Sequence, residues 1–365
     1  MRISLLFMAL FAAYSSYAQD TLSLLFAGDV MQHQSQINAA QRGDVYEYDE
    51  CFSMLKDRIA AADVAIANLE VTLAGKPYSG YPQFSAPDEL AQALGNAGFD
   101  VLITANNHSC DKGERGILRT IRTLDRLGIG HTGTFRSPAE RDSLYPLIIE
   151  KNNFRLAILS YTYGTNGIPA PPPAVVNLID TVQIAADIAA AKAQSPDVMI
   201  AFMHWGEEYQ QQPNKQQKTL ADFFIRHGVR LVIGSHPHVL QRMECRYDAD
   251  SAAQSVVVYS LGNFISNQSA KNTGGGAIAH IRLLKNDTGL TIDKCSYQLV
   301  WTYKPVTGKR RRFYVAPVGE LENNPAFFTN EADFFKMKDF AKNMRDLYNK
   351  ENSSFPEAAP QPNCE

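Results

Sequence analysis

Residues 229–241 read V-R-L-V-I-G-S-H-P-H-V-L-Q. The apolar run Val229, Leu231, Val232 and Ile233 breaks at Gly234, which predicts a buried strand ending in a tight turn. In an α/β sheet the carboxyl ends of the strands are where ligands bind, because a rigid scaffold aims the loops there. Pro237 fixes its own φ and stiffens the link, so His236 and His238 can present their imidazoles to one small volume. That arrangement suits metal ligands, and it equally suits two surface histidines with ordinary hydrogen bonds. The residues at the ends of the other strands decide between them.

Those strands end in the same way. Residues 21–27 read as a strand leading into Gly28-Asp29-Val30-Met31, where Asp29 is a candidate metal ligand or a turn aspartate, with His33 a weaker candidate just beyond. Residues 63–67 form a strand that runs into Asn68-Leu69-Glu70, and the polar pair shares one side if the chain stays extended. The strand over 99–104 leads to Asn107, His108 and Asp111. Asn107 can offer an amide oxygen to a metal, and His108 can hold or donate a proton. Asp111 can orient His108 or cap the next helix, over 114–127. The strand over 197–203 ends in His204, and the strand over 255–259 ends in Ser260-Leu261-Gly262-Asn263-Phe264.

Helical segments over 49–62, 87–97, 180–194 and 218–227 alternate with these strands, which makes the chain α/β. The Gly/Pro/Tyr-rich segment 75–87 is a loop long enough to wall a cleft. Segments 144–150 and 155–161 pair through an Asn152-Asn153 turn, and 274–284 pairs with 289–303. Residues 130–134 read as a turn with His131 structural, and 331–349 as a helix. The Pro/Ser/Asn-rich stretch 353–365 reads as disordered.

The chain has 365 residues, 45% hydrophobic and 20% charged, with a formal net charge of −3. That is a globular composition, and without a large basic patch it gives no support to a nucleic-acid partner. Arg2, the apolar run 3–13 and Ser16-Tyr17-Ala18 form a secretory signal peptide over 1–18, too short in its apolar core to span a membrane. Export to a periplasm or the exterior is the resulting expectation. The five cysteines show no C-x-x-C spacing, which argues against a zinc knuckle or thioredoxin motif. Cys110 reads as a packed small residue.

Asp29, Asn68 or Glu70, Asn107, His204, His236 and His238 at one sheet edge are the makings of a two-metal site. Oxygen and nitrogen donors without thiolate favour two divalent ions of Mn, Fe or Zn. The segments G-D-V-M, A-N-L-E, N-N-H-S-C-D-K-G, M-H-W-G-E-E, G-S-H-P-H and Y-S-L-G-N-F, in that order, resemble the CapA family of capsule-synthesis or poly-γ-glutamate-associated proteins. These are related to the calcineurin-like metallophosphoesterases. The resemblance spans most of 24–284. It implies a four-layer αββα sandwich over 19–303 with a dinuclear site at its strand ends. Beyond 303 no family motif occurs, and the residues themselves read as a C-terminal extension with a helix over 304–350 and a disordered tail over 351–365.

Carried over by position, the resemblance makes Asp29, Asn107, His204, His236 and His238 metal ligands and His108 the proton donor. Met31 stands where the phosphoesterases have a histidine. A-N-L-E replaces their G-D-x-x-D, so Glu70 or Asn68 takes the bridging aspartate's place. These departures weigh against ordinary phosphoesterase activity. The function implied is a metal-dependent enzyme acting on a glutamyl or similar amide polymer or peptide, with membrane-bound capsule machinery as a candidate partner. The alternatives are a non-catalytic polyanion-binding or export module, to which the basic run 309–312 could contribute, and a metallophosphoesterase.

Overall fold

The computed structural model describes residues 19–247, 253–287, 289–352 and 354–360, so the expected signal peptide lies outside the described residues. The chain first lays down four parallel strands, β1 (Asp20–Val30), β2 (Val64–Leu69), β3 (Val101–Ile103) and β4 (Gly130–Thr132). It then builds a six-stranded sheet from β5 (Leu147–Lys151), β6 (Phe154–Thr162), β7 (Val198–His204), β8 (Leu231–Ser235), β9 (Met243–Tyr247) and β10 (Ala253–Val258). The order there is β9-β10-β8-β7-β6-β5, parallel at the centre with antiparallel edges.

Finally the chain returns to the first sheet. On the side of β1 away from β2, β12 (Gly275–Asn286), β13 (Gly289–Tyr303) and β14 (Tyr314–Pro317) extend the sheet antiparallel, and β11 (Asn263–Ile265) runs parallel beside the end of β1 on that same side. This eight-stranded sheet therefore reads β14-β13-β12-β1-β2-β3-β4, with β11 alongside β1.

The alternation of side chains along β1 shows how the layers form. Leu22, Leu24 and Phe26 point to one face and pack with Leu156, Ile158, Ile200 and Ile233 of the second sheet. Leu25 and Ala27 point to the other and meet Leu90 and Leu94 of helix α1 (Asp88–Ala97). Helix α2 (Gly113–Leu127) lies on the same outer side through Leu124. Across the molecule, Ala157, Ala201 and Val232 meet Ile184 and Ile188 of α3 (Thr181–Ala193) and Leu220 and Phe224 of α4 (Lys215–Arg226). Helix, sheet, sheet, helix is the four-layer αββα sandwich that the family resemblance implies.

Several segments differ from their sequence reading. Residues 130–132 are not a turn but the edge strand β4, because Gly130, His131 and Thr132 pair with Val101, Leu102 and Ile103. Helix α4 starts at Lys215 because Asn214 and Gln217 form a reciprocal capping box, with Asn214 Oδ1 accepting from the Gln217 amide at 2.9 Å. The segment 49–62 breaks into two short helices, Asp49–Phe52 and Lys56–Ala60.

Nor does the chain after 303 stand apart from the sandwich. β14 joins the first sheet, and helix α5 (Glu331–Glu351) sends Phe334, Met337 and Phe340 into the core that also holds Leu299 and Trp301. Residues 354–360 pack against that helix, contrary to the disordered tail expected there; residues 353 and 361–365 of that stretch lie outside the described residues. Phe355 is buried, Arg345 pairs with Glu357, and the Ala358 amide donates to the Tyr297 carbonyl at 2.7 Å. The Pro/Ser composition hid this because one buried aromatic and one ion pair are enough to pin a short segment. Among the described residues no helix is long and apolar enough to cross a membrane.

Two glycines set how closely the strand ends approach. A Cβ on Gly28 would lie 2.0 Å from the Gly262 carbonyl oxygen, and one on Gly234 2.1 Å from that of Tyr259. Only a bare Cα lets β11 and its preceding turn nestle against β1 and β8 there. Because α5 completes the core, Met337→Ala should lower unfolding free energy by about 3 kcal/mol. Denaturant titration measures this, and a change below about 0.5 kcal/mol would show that the helix is peripheral.

Candidate metal centre

The carboxyl ends of β1, β2, β7 and β8 meet where the two sheets face each other. Asp29, Glu70, Asn107, His204, His236 and His238 come together there, all buried. One oxygen or nitrogen each from Glu70, His236 and His238 lies within 4.8 Å of the others, and the same holds for Asp29, Glu70 and His204. Glu70 belongs to both groups.

The hydrogen bonds fix most orientations. Asn68 Nδ2 donates to Asp29 Oδ1 at 2.8 Å, so the amide nitrogen faces the acids. Asn68 thus braces the cluster, and the carboxylate shared by both groups is that of Glu70. His238 Nδ1 lies 3.1 Å from Asp29 Oδ2 and 3.1 Å from Asn263 Oδ1. Asn263 Nδ2 donates to Gln268 Oε1 and the Thr273 carbonyl, so its oxygen must face His238. With two acceptors at Nδ1, that nitrogen carries the proton, and Nε2, 3.6 Å from Glu70 Oε1, keeps a free lone pair. His204 Nε2 sits 2.9 Å from Asn107 Oδ1, and its Nδ1 lies 3.1 Å from Ser235 Oγ.

The turn after β8 is strained. His236 has φ 99° and His238 φ 58°, both in the left-handed region, with Pro237 between them. Such backbone costs about 1–3 kcal/mol per residue and persists where the surroundings over-determine it. Here the His236 amide donates to Asp29 Oδ2 at 3.3 Å, and the ring packs 4.5 Å from that of Tyr163 and 4.7 Å from that of His204.

The electrostatics of these groups suit a bound cation. Burial, and then the neighbouring Asp29, push the Glu70 carboxyl well above its usual range. Burial acts on Asp29 in the same direction, but hydrogen bonds from His238 and Asn68 outweigh it and hold the carboxyl below its usual value. Burial and the neighbouring imidazoles drive His204 well down and His236 down to about 3, leaving both neutral and able to coordinate. Among the described residues, Glu70 Oε1 and His236 Nδ1 are buried with no hydrogen-bond partner. Two buried acids, neutral imidazoles and two orphaned ligand atoms fit divalent cations.

Beside this cluster, His108 Nδ1 lies 2.8 Å from Asp111 Oδ2, and its ring meets Phe84 edge-on at 4.6 Å. Asp111 also accepts from the Phe84 amide at 2.6 Å, and the N-cap position of α2 is Lys112, whose side chain makes no cap bond. Asp111 therefore orients His108 and is not the helix cap. Phe84 belongs to the loop over 75–87, which thus does reach the site. His33 stays outside the cluster, starting the helix Gln34–Ala40 and hydrogen-bonded to Gln36, so it adds no imidazole to the site. Tyr163, Asn263 and Ser235 complete the surroundings. Asn263 and Tyr163 both stand at strand ends, Tyr163 directly after β6, but a phenol is a less common metal ligand than a carboxylate or imidazole, so the strand-end pattern does not single out Tyr163.

A four-layer α/β sandwich with buried carboxylates, amides and imidazoles at its facing strand ends defines a protein with a candidate metal centre. Residues 23–268 match the family described as bacterial capsule synthesis protein PGA_cap, and the chain belongs to that family. It is 28% identical over 299 residues to the PGA biosynthesis protein CapA of Bacillus subtilis, covering 75% of this chain and 71% of that protein. It is 27% identical over 286 residues to the capsule biosynthesis protein CapA of Bacillus anthracis, covering 74% and 66%. Among solved structures it is similar to a phosphatase from Mycoplasma pneumoniae (TM-score 0.45, 14% identity, 82% and 96% covered). It is also similar to the NAD nucleotidase of Haemophilus influenzae (TM-score 0.48, 11% identity, 90% and 68% covered).

A cation that neutralises Glu70 should stabilise the fold. Adding Mn²⁺ to about a hundred times its dissociation constant should stabilise chelator-treated protein by about 2.7 kcal/mol, read as a raised thermal midpoint. Glu70→Gln, nearly isosteric but uncharged, should lose most of that rise. An equal rise in the variant would remove Glu70 from the site.

Proposed function

We propose that this member of the capsule-synthesis family is an exported, metal-dependent enzyme acting on a glutamyl or similar amide polymer or peptide. The observation that carries the reading is Glu70 shared between two groups of buried donors, with an oriented histidine beside them. The capsule-related family and the names of the Bacillus relatives support a polymer of that class. The sequence of residues 1–18 supports export.

Asp29, Glu70, Asn107, His204, His236 and His238 would hold the divalent ions. Bound there, such ions supply Lewis-acid polarisation of a carbonyl. The chain's own residues supply the rest. Asp111 holds His108 Nδ1, which fixes the ring and leaves Nε2, without a hydrogen-bond partner among the described residues, to hold or give up a proton. Phe84 packs on that ring and limits its rotation. A histidine so placed suits protonation of a departing amine nitrogen. Asn68 and Asn263 keep Asp29 and His238 in register and take no part in proton movement.

The test uses γ-linked glutamate oligomers with the metal-loaded protein. His108→Ala should lower kcat by roughly a hundredfold to ten-thousandfold while bound metal, measured by elemental analysis, stays at the wild-type level. Turnover unchanged in that variant would strip His108 of its role. Oligomer binding without turnover at any metal loading would instead mark the chain as a polyanion-binding module.

A further inference from the structure

A cavity of about 520 Å³ lies beside the metal centre, between the end of β13, the loop after β11 and helix α5. Gln268 is the wall between the two. Its side chain accepts from Asn263, the residue that holds His238, and its carbonyl accepts from Lys304 Nζ at 3.1 Å. Lys304 and Arg311 lie beyond the residues that match the family.

The charge inside the cavity is poorly balanced. Lys304 is half-buried and has no carboxylate partner among the described residues; its nearest charged influences are Arg311 and Lys336, of its own sign. Burial, then those two cations, hold its ammonium down to about 8. The Arg311 guanidinium likewise has no acceptor among the described residues. Two carboxylates also line the cavity. Asp333 is taken up by Lys336 at 3.2 Å, and Asp339 is exposed on α5. A further cation, Lys271, unpaired among the described residues, lines the cavity from the loop side. Two buried residues, Trp301 and Thr302, also line it, and the Thr302 hydroxyl has no hydrogen-bond partner among the described residues. Cations without a carboxylate partner, an orphaned hydroxyl and an aromatic wall form a receptor for a carboxylate attached to a partly apolar chain.

We propose that this cavity binds a side-chain carboxylate of the polymer, on Lys304 and Arg311, and so anchors a repeat next to the one held at the metal centre. The proposal rests on the substrate class argued above. It gives the chain beyond residue 303 a role in the site, since β13, the short hairpin of Val306–Thr307 with Arg310–Arg311, and α5 build the receptor together. A free phosphate could satisfy the same cations, but it would gain nothing from Trp301 or from the adjoining metal centre.

The experiment is calorimetric titration of the full chain, metal-loaded, with a γ-linked glutamate hexamer. Its counterpart with the free carboxylates converted to carboxamides serves as the uncharged probe. Lys304→Gln and Arg311→Gln should each weaken hexamer binding about tenfold, as expected for charge-assisted hydrogen bonds. Neither should alter bound metal or the thermal midpoint, and Lys304→Arg should restore most of the affinity. The carboxamide probe should bind wild type and variants alike. Hexamer binding equal in wild type and in the double variant, with turnover retained, would overturn the anchoring site alone. Absence of hexamer binding to wild type would overturn it together with the substrate reading. Displacement of the hexamer by inorganic phosphate, equal to that by free glutarate at matched ionic strength, would overturn the assignment to a polymer carboxylate. Because Arg311 is exposed, its variant keeps the test valid even if Lys304→Gln perturbs folding.

Discussion

Two carboxylates, Asp29 and Glu70, are fully buried where the two sheets meet, and the rest of the molecule is arranged to make that tolerable. An ionised acid in such surroundings costs several kcal/mol unless charge or hydrogen bonds compensate it. Asp29 receives its compensation from Asn68, His238 and the His236 amide. Glu70 has the long contact from Asn68, imidazole nitrogens at 3.6 and 3.8 Å, and one oxygen with no hydrogen-bond partner among the described residues. This asymmetry is what a cation would resolve, and it places the need for one at Glu70.

The architecture derives from holding those groups in place. Parallel strands from two separate sheets end at a common edge, so donors far apart in the chain arrive on rigid supports. Gly28 and Gly234 let neighbouring backbone close in on β1 and β8, and the closeness on the β1 side puts Asn263 in register with Asp29. The strained turn at His236 and His238 survives because the Asp29 carboxylate and the Tyr163 ring hold it. On the far side of Gln268, the C-terminal strand and helix finish the core and also form a cationic hollow. The same segment therefore serves stability and charge.

Much of this was legible in the chain. Apolar runs leading at once into Asp29, Glu70, Asn107, His204 or His236 identify strand ends, because the sheet period and the break at glycine or asparagine are local properties. The same locality made α1, α2 and α3 readable to within a residue or so at their ends. Edge strand β4 was not readable, since Gly130, His131 and Thr132 have no apolar run and are strands only because β3 offers them partners. The tail over 354–360 was unreadable for a similar reason: Phe355 has a place to go only once α5 and β13 have met.

The sequence by itself determined the alternation of strand and helix and the donors that stand at the strand ends. Each of these depends on neighbours within a few residues, where periodicity and turn chemistry act. Only the tertiary structure decided that Glu70 and not Asn68 is the donor shared by both groups, because that depends on which way the Asn68 amide faces Asp29. It alone showed Asp111 orienting His108 and taking no part in capping α2. It also brought Lys304 and Arg311 to the far wall of Gln268, across a gap in sequence that no local pattern spans. Where a side chain's partner lies on another strand or sheet, its role is fixed by packing, and packing is a property of the whole chain.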